Sequence, residues 1–256
     1  MVSGQTVLIT GASRGIGKAC ARAFAKEGAR LVLAARRLPL LQELAAALRA
    51  DFGAETHLLE LDVRDRGSVG AALGSLPTAW AAIDVLVNNA GLSRGLDKLH
   101  EADPVDYEEM IDTNVKGLLW VSQAVIPGMV ARDRGHVVNI GSIAGHQTYA
   151  GGSVYCATKH AVRAINQGLR LDLLGTRVRV TSVDPGMVET DFSLVRFHGD
   201  RARAGQVYRQ FPPLRPEDVA EAVVWCVTRP AHVNVQQLLL MPTDQAAVYA
   251  SHPRGR

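Results

Sequence analysis

The chain has 256 residues, of which 47% are hydrophobic and 21% charged, with a formal net charge of +3. This length and composition fit one large globular domain better than two small ones, so we expect a single domain spanning residues 1–256. A net charge this small, without a Lys/Arg block, argues against nucleic acid as a partner.

Short β-branched runs alternate with longer segments of helical period. The predicted strands are Thr6–Thr10, Arg30–Ala35, Thr56–Leu61, Val85–Asn88, His136–Ile140, Val178–Val183 and Gln237–Met241. The predicted helices are Gly15–Glu27, Leu38–Asp51, Val69–Leu76, Asp106–Ile126, Gly152–Leu173 and Pro216–Thr228. Several strands are almost continuously apolar, which is typical of a parallel sheet buried on both faces. The pattern predicts an α/β fold: a Rossmann-type, doubly wound parallel sheet of about seven strands with helices on both faces.

The least regular segment, Met187–Pro213, is rich in Arg, Gly and Phe and lies between a strand and a helix. Long insertions after the carboxyl ends of strands often close over a substrate. We therefore expect residues 187–213 to form a substrate lid within the domain.

The first strand leads into a glycine-rich loop that opens the first helix. In this position the glycines allow a tight turn and a close approach of the backbone to a pyrophosphate, whose charge the helix N-terminus stabilises. The loop residues predicted to bind a dinucleotide are Gly11, Ser13, Arg14, Gly15, Ile16 and Gly17. The alternative is a glycine-rich turn without a ligand.

The end of the second strand indicates which dinucleotide binds. Enzymes that use NAD usually carry an acidic residue there, but this chain has Arg36 and Arg37. Together with Arg14, these guanidinium groups suit a 2′-phosphate, because Arg offers planar, permanently charged donors. The prediction is NADP, although one of the two consecutive arginines can equally be a solvated charge at a helix start.

Two further strand ends are predicted to contact the cofactor, because doubly wound sheets bind ligands at the carboxyl ends of their strands. Asp62 and Val63 follow the third strand, and Asn89, Ala90 and Gly91 follow the fourth. Asp62 is suited to accept from the adenine amino group; its alternative role is a turn cap.

Proton-transfer chemistry is predicted for Tyr155 and Lys159, which are four residues apart on one helix face. A nearby ammonium lowers the pKa of a phenol towards the range useful for general acid–base catalysis. Ser142 follows the fifth strand and is suited to bind the reacting oxygen. Asn114 lies in the preceding helix, where it could hold a water that links Lys159 to solvent.

Six motifs together resemble the short-chain dehydrogenase/reductase family. They are TGASRGIG, NNAG, the Asn of DTNVKG, the Ser of NIGSIAG, YCATK and the PG of VDPGMVET, in that order over nearly the whole chain. The resemblance implies Asn114, Ser142, Tyr155 and Lys159 as the catalytic set and homotetramers as a common assembly. It also implies cofactor contacts after the sixth strand, at Pro185, Gly186, Val188 and Thr190.

A narrower resemblance concerns the substrate. FSLVRFHGD, YAGGSVYCATK and PAHVNVQQLLLMPTDQ are similar to the NADP-dependent 3-hydroxy acid dehydrogenases, although the residues after Gly199 diverge. The resemblance implies oxidation of serine, allo-threonine and related short 3-hydroxy acids. Arg196 is then a candidate partner for the substrate carboxylate, with a structural arginine or an arginine at a subunit contact as the alternative. Tyr149 either lines the substrate pocket or packs against it.

The leading functional prediction is therefore hydride transfer between NADP(H) and a small 3-hydroxy acid or semialdehyde. The alternative within enzymes is a broad carbonyl or acyl-thioester reductase. The alternative outside enzymes is a catalytically silent NADP-binding sensor. The eight histidines show no ligand spacing, so no metal is predicted.

The compartment follows from cysteine usage and hydropathy. Cys20, Cys156 and Cys226 are far apart and odd in number, which predicts neither a disulfide framework nor a zinc site. No apolar stretch approaches the roughly 20 residues that span a bilayer, and no basic segment precedes an apolar, signal-like run. We expect a cytoplasmic protein without a membrane partner.

Overall fold

A computed structural model describes residues 2–253. Its sheet has the strands β1 (Thr6–Thr10), β2 (Arg30–Ala35), β3 (Thr56–Glu60), β4 (Val85–Asn88), β5 (Gly135–Ile140), β6 (Val178–Pro185) and β7 (Gln237–Leu240). The strand order is β3-β2-β1-β4-β5-β6-β7, and every neighbouring pair is parallel. The predicted doubly wound sheet of seven strands is confirmed.

Helices connect the strands. They are α1 (Gly15–Lys26), α2 (Leu38–Phe52), α3 (Arg66–Gly74), α4 (Thr78–Ala81), α5 (Pro104–Ile111), α6 (Leu118–Ala131), α7 (Ser153–Asp172), α8 (Phe192–Arg196), α9 (Arg201–Val207) and α10 (Pro216–Val227). In the described part of the chain, none of them is long and apolar enough to cross a membrane.

The core lies on both faces of the sheet, because successive side chains of a strand point in opposite directions. Ile9 of β1 belongs to a buried cluster with Phe24 of α1 and Val223 of α10. Its neighbour Leu8 belongs to a second cluster, with Val121 and Met129 of α6. This two-sided burial explains why the strands are nearly continuously apolar.

The order of the strands determines where a ligand can bind. β1 pairs with β2 on one side and with β4 on the other. The chain therefore winds outward in opposite directions from β1, and the loops that follow these strands separate. A crevice opens at such a switch point, at the carboxyl ends of the strands.

The helix predicted over residues 106–126 differs from the structure. A π-helical turn, Asp112–Gly117, lies between α5 and α6 and interrupts the α-helical hydrogen bonding. The turn carries Asn114, whose side chain is bonded to the main chain of Leu92. A π turn inserts a single extra residue, which a pattern of 3.6-residue period does not reveal.

The segment predicted as irregular, 187–213, contains α8 and α9. The Asp200 carboxylate caps α9 by accepting from the backbone N–H groups of Ala202 and Arg203. These two helices, α4 and the 3₁₀ turn Ile143–Gly145 are too short to produce a recognisable periodic pattern.

Candidate active site

A cleft of about 290 Å³ lies at the carboxyl ends of the strands. Most of the predicted site residues line it: Gly11, Ser13, Arg14, Gly15, Ile16, Arg36, Arg37, Asp62, Val63, Asn89, Ala90, Gly91, Ser142, Tyr155, Lys159, Pro185, Gly186, Val188 and Thr190. Four of the predicted residues lie just outside it, namely Gly17, Asn114, Tyr149 and Arg196. The tertiary structure thus brings together side chains that are far apart in sequence.

The glycine loop owes its shape to its lack of side chains. Gly11 and Gly15 have φ angles of +63° and +52°, in the left-handed region that favours glycine. Gly17 is buried beneath the loop, where a Cβ would lie 2.5 Å from Nδ2 of Asn89. That Asn89 amide donates to the carbonyls of Thr10 and Gly11, at 2.9 and 3.2 Å. The loop is therefore held against the end of β4, and the helix N-terminus stays open to the cleft.

Three arginines cluster at one end of the cleft. Partial burial and the neighbouring charges of Arg14 and Arg36 lower the pKa of the Arg37 guanidinium. Arg14 also forms an ion pair with Asp191, which follows Thr190, at 3.0 Å. A cationic group of this kind suits a bound phosphate.

Asp62 lies at the end of β3, but its carboxylate already has a partner. Arg64 Nε donates to both carboxylate oxygens at 3.0 Å. Burial alone would raise the pKa of Asp62, but the hydrogen bonds and charge of Arg64 lower it. The carboxylate is consequently an ionised acceptor at this edge of the cleft.

Tyr155 and Lys159 lie one turn apart on α7, and each is only 8% exposed. The Lys159 ammonium donates to the carbonyl of Ile140 at 2.8 Å and lies 6.0 Å from the centroid of the Tyr155 ring. Burial lowers the pKa of Lys159 to about 8, while the charge of Asp184 acts in the opposite direction.

The pKa of Tyr155 differs from the sequence-based expectation. Burial raises it above its ordinary value, and the neighbouring Tyr149 adds to the rise. The charge of Arg196 and a hydrogen bond with Ser142 act in the opposite direction. The sequence displays the ammonium of Lys159 but not the desolvation of the phenol, which disfavours its charged form. The protein by itself therefore holds Tyr155 as a neutral phenol.

Ser142 and Asn114 connect the loops to α7. Ser142 begins the 3₁₀ turn after β5, and its hydroxyl accepts from the N–H of Ala144 at 3.1 Å. The Asn114 side chain accepts from the N–H of Leu92 and donates to its carbonyl, both at 2.8 Å. It also donates to Thr158 at 3.0 Å. The Asn114 amide therefore joins the loop after β4 to the helix of Tyr155.

Arg196 and Tyr149 lie beside the cleft, next to Tyr155. The guanidinium carbon of Arg196 is 5.5 Å from the centroid of the Tyr155 ring and 5.2 Å from that of Phe192. Arg196 donates to the Tyr149 hydroxyl at 3.0 Å. Its Nε is buried and has no hydrogen-bond partner among residues 2–253, and a buried unpaired donor is costly. The guanidinium thus retains an unused donor close to the phenol.

Sequence reasoning missed several residues that line the cleft. They are Ala35, Leu61, Leu92, Thr113, Ile140, Gly141, Asp191, Phe192 and Val195. Many of them neighbour predicted residues at strand ends, which was the available signal. Asp191, Phe192 and Val195 lie in the segment 187–213 that the sequence predicts as a lid, but only the folding of α8 shows which of its residues reach the cleft.

No group of three or more His, Cys, Asp or Glu side chains within residues 2–253 is arranged to hold a metal ion. The cleft contains instead a phenol, an ammonium and a hydroxyl beside a glycine loop. These groups suit proton exchange with an alcohol or carbonyl oxygen.

Comparisons with known proteins agree with this geometry. Residues 5–199 match the short chain dehydrogenase family. The NADP-dependent 3-hydroxy acid dehydrogenase of Escherichia coli (strain K12) is 48% identical over 241 residues, covering 94% of this chain and 96% of that protein. The NADP-dependent 3-hydroxy acid dehydrogenase of Schizosaccharomyces pombe is 44% identical over 245 residues, covering 95% of each protein.

A solved structure, described as the closed form of serine dehydrogenase complexed with NADP+, superposes with a TM-score of 0.91. The two chains share 47% sequence identity, and the match covers 98% of this chain and 100% of the other. The sheet order, the glycine loop and the extent of these matches agree, and this chain belongs to the short-chain dehydrogenase/reductase family.

Proposed function

We propose that the protein is an NADP(H)-dependent oxidoreductase that interconverts small 3-hydroxy acids and the corresponding carbonyl compounds. The observation that carries this proposal is the Arg196 guanidinium, 5.5 Å from the ring of the proposed proton donor Tyr155. A fixed cation at that distance suits a substrate with a carboxylate near its reacting hydroxyl. The similarity to 3-hydroxy acid dehydrogenases supports the same substrate class.

The residues of the cleft fit NADP(H). The glycine loop, with the N-terminus of α1 behind it, suits the pyrophosphate, and the arginines at 14, 36 and 37 suit a 2′-phosphate. Asp62, Val63 and residues 89–91 would hold the adenosine half, and Pro185, Gly186, Val188 and Thr190 the nicotinamide half. The bound cofactor would supply the hydride acceptor or donor.

The protein's own side chains would carry out the proton transfer. Ser142 would bind and orient the reacting oxygen, and Tyr155 would exchange a proton with it as general acid or base. Lys159 would stabilise the phenolate form through its positive charge. Asn114 would act as a positioning residue, because its amide ties the loop after β4 to the helix of Tyr155.

Segment 187–213 is the proposed substrate lid. It supplies Asp191, Phe192 and Val195 to the cleft and carries Arg196. Tyr149 would orient Arg196 through their 3.0 Å hydrogen bond. The aromatic ring of Phe192, in edge-to-face contact with Tyr155 at 5.7 Å, would exclude water from the reacting groups.

A substrate panel tests the proposal directly. Short hydroxy acids, neutral alcohols and carbonyl compounds are assayed with NADP(H) and with NAD(H). We expect turnover of serine or 3-hydroxypropionate with NADP+. Reduction of neutral carbonyls without activity on any hydroxy acid would favour a broad carbonyl reductase. NADP binding without any turnover would favour a sensor.

The cofactor preference is tested by Arg36→Asp. The substitution removes a hydrogen-bond donor to the 2′-phosphate and adds a negative charge that repels it. We expect the NADP dissociation constant to rise at least about tenfold, on the scale of one lost charge-assisted hydrogen bond, with a smaller effect on NAD. Isothermal titration with both cofactors measures the ratio, and Arg49→Asp, at an exposed position of α2, is the charge-matched control. An unchanged ratio would assign the phosphate to other residues, with Arg37 the first candidate.

We also propose a homotetramer in the cytoplasm. Apolar side chains are exposed on two of the helices, among them Leu119 and Val130 of α6 and Leu171 of α7. Exposed apolar patches often mark contacts between subunits. Cys20, Cys156 and Cys226 are free and buried, which suits a reducing compartment.

A further inference from the structure

A chain of ion pairs runs from the proposed 2′-phosphate site to the proposed lid. Its central member is Glu109 of α5, whose side chain is only 18% exposed. One carboxylate oxygen, Oε1, faces the cofactor side, 3.2 Å from Arg64 and 4.0 Å from Arg36. The other oxygen, Oε2, accepts from Nε of Arg94 at 2.6 Å. The carboxylate of Glu109 therefore interacts with guanidinium groups on both the cofactor side and the lid side.

Arg94 holds the end of α8. While its Nε is bound to Glu109, its Nη1 donates to the carbonyl of Val195. The adjacent Gly95 N–H donates to the carbonyl of Arg196 at 2.9 Å. The last carbonyls of a helix lack partners within the helix and favour a cation, so both contacts stabilise this end of α8. They place the backbone from which the Arg196 side chain reaches Tyr155.

Three guanidinium groups, those of Arg94, Arg64 and Arg36, act on the carboxylate of Glu109. Its Arg94 hydrogen bond, and then the charges of Arg94, Arg64 and Arg36, hold the pKa of Glu109 below its usual range despite partial burial. Arg64 has a second partner in Asp62, with which its Nη2 forms an ion pair at 2.6 Å. Arg36, by contrast, is 54% exposed, and within residues 2–253 its only ion pair is the long 4.0 Å contact with Glu109. Of the three arginines around Glu109, Arg36 is therefore the one that can pair most easily with an incoming phosphate.

We propose that Glu109 and Arg94 are positioning residues that couple the cofactor's 2′-phosphate to the lid residue Arg196; this inference rests on the proposed function. A dianionic phosphate on Arg36 removes one of the three cations that share Glu109. The carboxylate then interacts more strongly with Arg94, which tightens the hold of Arg94 on α8. NADP, but not NAD, thereby closes the segment that carries Arg196, the proposed partner of the substrate carboxylate.

Because coupling between two binding sites is reciprocal, the 2′-phosphate of the cofactor and the substrate should each strengthen the binding of the other. If the 2′-phosphate stabilises the closed lid, NADP should lower the KM for the hydroxy acid relative to NAD, with a smaller effect on kcat. A coupling free energy at the lower end of the usual range corresponds to a ratio of about fivefold between the KM measured with NAD and the KM measured with NADP. In Glu109→Gln the KM of the hydroxy acid should be the same with NADP as with NAD. The neutral amide does not respond when the phosphate neutralises the charge of Arg36.

The closing experiment needs no turnover. Hydrogen–deuterium exchange of residues 192–207 is measured on the full chain, alone and saturated with 2′,5′-ADP or with 5′-AMP. We expect 2′,5′-ADP to slow exchange in the wild type by about fivefold more than 5′-AMP does. Glu109→Gln and Arg94→Gln should bind 2′,5′-ADP, as calorimetry will report, yet lose the difference. Glu108→Gln removes the same charge from the exposed neighbouring position and should behave as the wild type.

Two results would overturn the inference: equal protection of the lid by both nucleotides, or a difference that persists in Glu109→Gln. A wild type that binds 2′,5′-ADP no better than 5′-AMP would instead overturn the proposed NADP preference, and the coupling with it. Calorimetry on the wild type therefore separates a failure of the proposed function from a failure of the coupling alone.

Discussion

Replacing Tyr155 by Phe is expected to lower kcat by at least about two orders of magnitude, the usual scale for the loss of a general acid–base group. The ring that packs against Phe192 is retained, so the shape of the cleft should persist. Only the hydroxyl that is proposed to exchange the proton is removed. Steady-state kinetics with NADP(H) and the best substrate of the panel measure the effect.

Cofactor titration provides the control for this variant. Because Phe keeps the packing of a side chain that is only 8% exposed, the NADP dissociation constant should change little. Tyr249→Phe makes the same substitution at a tyrosine that is 77% exposed and should leave kcat unchanged. A Tyr155→Phe enzyme that retains most of its turnover would remove Tyr155 from the mechanism.

Replacing Arg196 by Leu is expected to impair carboxylate substrates selectively. The loss of a charge-assisted hydrogen bond costs about 1.5–3 kcal/mol, which corresponds to roughly ten- to a hundredfold in kcat/KM. Serine and 3-hydroxypropionate should show this loss if, as proposed, the guanidinium orients the substrate hydroxyl towards Tyr155. Neutral alcohols or aldehydes of similar size should be spared.

The comparison of charged with neutral substrates decides the role of Arg196. Arg201→Leu makes the same change at an exposed position of the same segment and should affect neither class. An equal loss on both classes in Arg196→Leu would make Arg196 a structural residue of the lid. Its stacking on Phe192 and its bond to Tyr149 would then be its main contribution.

The sequence by itself was sufficient for the fold and for most of the candidate cleft. Continuously apolar strands indicate burial on both faces of the sheet, and their alternation with helices predicts that the strands are parallel. These are local properties, and so is the glycine loop with Arg36 after the next strand. The spacing of Tyr155 and Lys159 is also local, because residues four apart share a face of one helix.

The tertiary structure decided which distant side chains meet and how deeply they are buried. The bond from Asn114 to Leu92 depends on a π turn that hydrophobic periodicity does not reveal. The raised pKa of Tyr155 depends on desolvation, which a sequence does not display. The position of Glu109 between Arg36 and Arg94 depends on three segments that only the packed sheet brings together. Electrostatic interactions act through space and depend on burial, so the charges of the sequence acquire their partners only when the chain is folded.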